Sequence, residues 1–118
     1  MDSDGEGVGR RVSERRQLRR ATAILGKKWH PTLIHILQRE GPLGFNDLKA
    51  SVEGISDKVL SESLDDLEAA GVVSRDVIDA KPVRVEYALT DAGAGLGPVI
   101  EELWQWSQKY LPEGEASS

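Results

Sequence analysis

The sequence predicts a mainly α-helical domain carrying one small β-hairpin, on three observations. The first half of the chain sets its apolar residues three and four apart, in runs that stop at Gly26, Gly41–Pro42, Gly54 and Gly71. Beyond Gly71 the period drops to two, through Val73–Asp79 and again through Val83–Leu89. After Thr90 the helical spacing returns and lasts to about Tyr110. At 118 residues and 39% apolar content the chain suits one domain with one core and no large internal pocket.

Residues 1–12, rich in Gly, Asp and Glu without a period, read as a disordered N-terminal tail. Residues 13–111 read as the folded domain and 112–118 as a C-terminal tail. A first helix is expected from Ser13 as its N-cap, with Leu18, Ala21, Ile24 and Leu25 as its apolar stripe. A second starts near His30 with Pro31 in its first turn, where a missing N–H costs nothing, and carries Leu33, Ile34, Ile36 and Leu37. Leu43–Gly44–Phe45 is a short extended link, and a third helix runs from Phe45 or Asn46 to about Val52. The fourth, 56–70, has Ser56 as N-cap and Asp57 in its first turn, where a carboxylate meets the positive end of the helix dipole. Val59, Leu60, Leu64 and Leu67 form its inward face. A hairpin with its tip near Asp79–Pro82 follows, and Thr90–Asp91 caps a last helix. The order α-α-α-α-β-β-α, with helices three and four joined by a tight turn, is that of a winged helix-turn-helix.

Net charge is −5, which alone argues against an anionic partner, but the charge is unevenly placed. Residues 1–39 hold nine basic and four acidic groups; residues 40–118 hold six basic and sixteen acidic. Arg10, Arg11, Arg15, Arg16, Arg19 and Arg20 crowd into one segment, and a local basic face can bind phosphate on an acidic protein. The acid-rich composition, six lysines against twenty acids, is also of the kind found in proteins adapted to concentrated salt.

Other function classes fall away. Cysteine is absent, which excludes disulfides, thiolate metal ligands and thiol oxidation as a signal. Two histidines, His30 and His35, make an imidazole metal site improbable. No nucleophile–base pair or supported carboxylate dyad stands out, so the chain reads as a non-enzyme without a cofactor. Gly93, Gly95 and Gly97 lack the Lys-Ser/Thr partner of a phosphate loop and read as close helix approach at a dimer seam. No apolar run reaches a membrane span and the acidic start is no secretory signal, so a cytoplasmic location is expected.

Several segments carry a family resemblance: Leu25–Gly–Lys–Lys–Trp29, Gly41–Pro–Leu–Gly–Phe–Asn–Asp–Leu48 and Gly54–Ile–Ser–Asp–Lys–Val–Leu60. Leu64–Asp–Asp–Leu–Glu–Ala–Ala–Gly71, Pro82–Val–Arg–Val–Glu–Tyr–Ala–Leu–Thr90, Trp104 and Trp106 follow in order. Across residues 18–107 the set resembles the HxlR family of winged-helix regulators, within the wider MarR-like group. The resemblance implies a homodimer on double-stranded operator DNA, joined by its first and last helices. Members often carry a sensing cysteine near the first helix, which this chain lacks.

With about 100° per residue, Lys58, Ser61, Glu62 and Asp65 face away from the apolar stripe of the fourth helix. In a winged helix that face meets the major groove, where Lys58 reaches phosphate or guanine, Ser61 either partner, and Glu62 the cytosine amine. Ser56, at the start of the helix, belongs to the same surface. Lys81 at the wing tip, Arg84 beside it and Lys28 before the second helix complete the expected DNA contacts. Leu18, Leu96, Val99, Ile100, Leu103 and Trp104 are expected at the dimer contact, because the last helix is too apolar for one small domain to cover. Trp29, Trp104, Trp106 and Tyr110 read as core and dimer packing rather than a ligand pocket, and His35 as a satisfied buried histidine. A small-molecule effector is left open. The rival function is a winged helix kept as a protein-interaction or dimerisation module, its recognition face too acidic for DNA.

Overall fold

A computed structural model of the chain describes residues 3–112. Helix α1 (Ser3–Leu25) leads into α2 (His30–Glu40), a short strand β1 (Leu43–Gly44), α3 (Phe45–Ser51) and α4 (Asp57–Ala69). The hairpin β2 (Val73–Ala80) and β3 (Val83–Leu89) comes next, then α5 (Asp91–Gly95) and α6 (Gly97–Tyr110).

The core forms where the amphipathic helices close on one another. Leu33, Ile34 and Leu37 of α2, Leu60, Leu64 and Leu67 of α4 and Leu48 of α3 belong to one buried cluster. Val52 and Ile55, from the turn between α3 and α4, are buried with them, as are Val72, Val73 and Ile100. Val59 is only half-buried and packs at the edge of this cluster.

Three departures from the expected elements have physical causes. Helix α1 begins at Ser3 and runs through the segment read as tail, so Ser13 lies inside it and caps nothing. Arg, Glu, Gln, Leu and Ala dominate from Arg10 onward, and once such a helix has nucleated it extends through Gly5, Gly7 and Gly9 at about 1 kcal/mol each. The Leu43–Gly44 link is a strand: it pairs with Tyr87 and Glu86, making a three-stranded antiparallel sheet of order β1-β3-β2. The last helix is broken at Leu96, because Pro98 has no N–H to give and its ring crowds the carbonyl four residues back. Within the hairpin the pairing slips between Val77 and Asp79, leaving Ile78 as the extra residue of a bulge. Residues 113–118 of the expected C-terminal tail, and the first two residues, lie outside the described part.

Thr90 ties the wing to the helices. Its hydroxyl donates to the Gly71 carbonyl at 2.6 Å and accepts from the Gly93 N–H at 3.1 Å; its own N–H donates to the Val72 carbonyl at 3.0 Å. A Cβ on Gly93 would collide with that same Val72 carbonyl, so the glycine is needed for α5 to seat on the α4–β2 junction. Gly97 presses on the Gln38 side chain, whereas Gly95 has open space around it. The close approach expected at a dimer seam therefore occurs inside the protomer, at Gly93 and Gly97.

Leu64 is 1% exposed. Leu64→Ala should lower stability by about 2–5 kcal/mol in urea unfolding, because the lost contacts leave a cavity; Glu62→Ala on the solvent side should stay within about 0.5. Equal losses from the two substitutions would mean that α4 is not seated by this stripe.

Candidate nucleic-acid interface

The burial of Leu60, Leu64 and Leu67 decides which way α4 faces. Lys58, Ser61, Glu62 and Asp65 fall on the opposite side, and all four are exposed. Ser56 is extended at the N-cap, where its hydroxyl accepts the Val59 N–H at 3.1 Å, as the sequence predicts. Its oxygen is thus engaged in ending the helix, although the residue is exposed. Asp57 forms an ion pair with Lys49, which links α3 to the first turn of α4 across the helix-turn-helix. Lys58 enters no ion pair among the described residues.

The wing places Lys81 and Arg84 in solvent. Arg84 lies opposite Asp79 across the hairpin, with 4.0 Å between guanidinium and carboxylate. At that distance and exposure the pair contributes little, and a phosphate would displace it easily. Arg84 also lines an open cleft between the wing and the start of α3, shared with Phe45, Asn46 and Ile78. Lys28 is exposed, its ammonium 4.9 Å from the centre of the Trp29 ring.

Lys27 and Asp66 are paired with each other. Lys27 meets the carboxylate of Asp66 on α4 at 3.2 Å. The same carboxylate oxygen lies 3.8 Å from Nε2 of His30, a side chain only 4% exposed. His30 Nδ1 is 2.6 Å from the Ile24 carbonyl, and since a carbonyl only accepts, that nitrogen carries the proton. The imidazole bonds the start of α2 to the end of α1, while its Nε2 faces Asp66 on α4 without a hydrogen bond among the described residues. The sequence signal was present in His30 at a helix start, but its partners are 6 and 36 positions away and no local pattern announces them. His35 is half-buried and its Nδ1 has no hydrogen-bond partner among the described residues, so it is not the satisfied histidine expected.

A second surface lies on α6. Val99, Leu103 and Trp104 are exposed, as are Trp106 and Tyr110, whose rings lie 5.4 Å apart. Leu18 on α1 is 65% exposed. Val99, Leu103 and Trp106 line an open apolar cleft with Thr22 and Leu25 of α1 and Gly26 just after it. Ile100 and Leu96, grouped with them in the sequence reading, are used otherwise: Ile100 is in the core and Leu96 packs against it. Of Trp29, Trp104, Trp106 and Tyr110, only Trp29 packs on the core, where Phe45 and Tyr87 also pack. Among the described residues there is no cluster of potential metal ligands, and no helix is long and apolar enough to cross a membrane.

An exposed helix face following a tight helix-turn-helix, flanked by a β-hairpin, defines a winged-helix DNA-binding protein. The comparisons place it more narrowly. A family model described as HxlR-like helix-turn-helix matches residues 24–115. The HTH-type transcriptional regulator YvaP of Bacillus subtilis is 40% identical over 92 residues, 78% of this chain and 84% of its own. YodB, another HTH-type transcriptional regulator of Bacillus subtilis, is 36% identical over 95 residues, 80% and 84% of the two chains. The solved reduced form of YodB superposes with a TM-score of 0.72 at 34% identity, covering 84% of this chain and 96% of that one. The redox regulator HypR in its reduced form gives 0.73 at 29%, covering 79% and 91%. The chain belongs to the HxlR-like helix-turn-helix family and is a DNA-binding transcriptional regulator, not an enzyme.

Ser56→Ala should cost about 1 kcal/mol of stability by orphaning the Val59 N–H, and Ser56→Asp should recover most of it. Thermal or urea unfolding reads both. If Ser56→Ala unfolds like the parent, the hydroxyl is not serving as the cap.

Proposed function

We propose that the chain acts as a homodimer on specific operator DNA, with α4 in the major groove and the wing on the flanking backbone or minor groove. The observation that carries this reading is the fully buried Leu60–Leu64–Leu67 stripe, which turns Lys58, Ser61 and Glu62 outward together from the first turns of α4. Lys58 contacts guanine or phosphate, Glu62 accepts from a cytosine amine, and Ser61 serves either. Ser56 starts the helix at the groove edge, and Lys28, Lys81 and Arg84 contact phosphate. Leu18, Val99, Leu103 and Trp104 meet their counterparts in a second copy, since so large an exposed apolar surface on α6 is what interfaces show. Such a regulator works where the DNA is, in the cytoplasm. YodB has been solved in reduced, diamide-treated and quinone-bound forms; this chain has no cysteine, so thiol oxidation is not open to it. Any effector acts on it by another route.

The rival reading, an interaction module, is favoured by the acidic residues that share α4 with Lys58, and one experiment separates the two. Sites are selected from a random pool of double-stranded DNA at two salt concentrations, and Lys58→Ala and Arg84→Ala are measured on a selected site. Lys58→Ala should cost roughly 1–3 kcal/mol and relax preference at one position of each half-site. Arg84→Ala should weaken binding to all sequences alike and lower the salt slope by about one phosphate contact. Failure to enrich any site, or indifference to both substitutions, would favour the interaction module.

The dimer has its own check. Leu103→Glu places a charge on the apolar face of α6 without touching the core, and should shift the sedimenting species from dimer to monomer at micromolar concentration. A parent protein that sediments as a monomer at tens of micromolar would contradict the proposed assembly.

A further inference from the structure

We propose that the outer face of α1 is a second DNA-binding surface, an arginine stripe that lies along the phosphate backbone flanking the bases read by α4. The proposal rests on the operator-binding function argued above and adds a surface that the helix-turn-helix and wing do not include.

Between Gly7 and Leu25 the helix carries six arginines and a single acid, Glu14, and all six arginines are exposed. At about 100° per residue Arg11, Arg15, Arg19, Arg16 and Arg20 fall within half of the helix circumference. Ile24 and Leu25, which pack on the protomer's core, fall on the other half. Leu18 sits at the margin between the halves, so the helix can give one edge to a partner copy and still present its basic side. Only Arg10 falls on the inner half.

Among the described residues these arginines have no carboxylate partner. Arg20 donates to the Gln17 side chain at 3.2 Å, and that is a neutral partner. Like charges at positions four apart, as in Arg11–Arg15–Arg19 and Arg16–Arg20, oppose an isolated helix. An external anion turns the same arrangement into an attraction.

The recognition helix supplies the reason for needing one. Asp57, Glu62, Asp65, Asp66 and Glu68 stand on α4 against Lys58 alone, and carboxylates near phosphates repel. Lys27 is paired with Asp66, and Arg84 is near Asp79. The largest unpaired positive surface left among the described residues is α1. From Arg11 to Arg20 the helix rises about 14 Å, and a duplex carries one charge per roughly 1.7 Å of its axis, so several phosphates lie within reach of one arm. Guanidinium also matches phosphate geometry through paired N–H donors. An arm of this kind adds affinity and carries no base preference.

The test replaces Arg11, Arg15 and Arg19 together by Gln in the full chain, with an all-Lys version of the same three positions beside it. Affinity is measured against salt on a selected site with long flanks and on the same site trimmed. The Gln variant should lose about 2.7 from the magnitude of the log–log salt slope for each arm in contact, and should keep the parent's base preference. The Lys version should retain the slope, and trimming the flanks should reduce the parent's slope more than the Gln variant's. A parent that binds its selected site while the Gln variant keeps the same slope and affinity overturns the arm without touching the operator reading. So does a Gln variant that changes only the dimer dissociation constant, or only retention on vesicles of anionic lipid, since the arginines then serve a second copy or a membrane. A parent that selects no DNA removes both.

Discussion

The burial of one face of α4 in the shared core is the constraint on which the rest of the molecule depends. Leu60, Leu64 and Leu67 are buried in the common cluster that also holds Leu33, Ile34 and Leu37, and each buried leucine is worth about 1.5–3 kcal/mol of transfer free energy. No other rotation of α4 about its axis would bury all three. The outward face is a residue of that choice: whatever the sequence puts at positions 58, 61, 62 and 65 is what a groove would meet. The junction that follows α4 depends on it in turn. Gly71, at φ 77°, turns the chain out of the helix, and Thr90 clamps the start of α5 to the carbonyls of Gly71 and Val72. The wing is thereby held at a set distance from the recognition helix.

The chain divides its two jobs between opposite signs of charge. In the proposed docking the reading helix carries five acids and Lys58, while Lys81 and Arg84 on the wing, Lys28 before α2 and the arginines of α1 lie outside it. An acidic side chain placed in a groove would discriminate, since on the proposed docking Glu62 gains from a cytosine amine and loses against an acceptor. Such side chains contribute nothing to holding the duplex. Holding is left to guanidinium and ammonium groups farther out, where the contact is to phosphate and is blind to sequence. His30 bonds the start of α2 to the Ile24 carbonyl of α1, and Lys27, just beyond α1, pairs with Asp66 of α4 at the surface.

Local patterns made much of the fold legible. Ser56 and Thr90 cap the helices they were expected to cap, because a hydroxyl at the right offset is a short-range signal. The hairpin tip was legible from Lys81–Pro82, and the core of α2 and α4 from helical spacing. The break at Leu96 was available in Pro98 but hidden by an apolar run that continues across it. What the sequence could not show was set by distance along the chain. Leu43 pairs with Tyr87, Lys27 finds Asp66, and Gly93 meets Val72, all through tertiary approach. Ile100 and Val99 illustrate the same limit on the candidate site: neighbours in one apolar helix, one in the core and one in solvent, with nothing local to tell them apart.

The central claim is that the outer face of α4 lies in the major groove, and the absence of cysteine makes a direct measurement simple. A cysteine introduced as Ser61→Cys is the sole thiol and can carry a DNA-cleaving chelate. On a selected site it should cut at two symmetric positions about one helical turn apart, with the pattern of major-groove attack. The same reagent on Glu68→Cys, in the last turns of α4, should cut weakly or not at all. Strong cleavage from position 68 with none from position 61 would contradict the account.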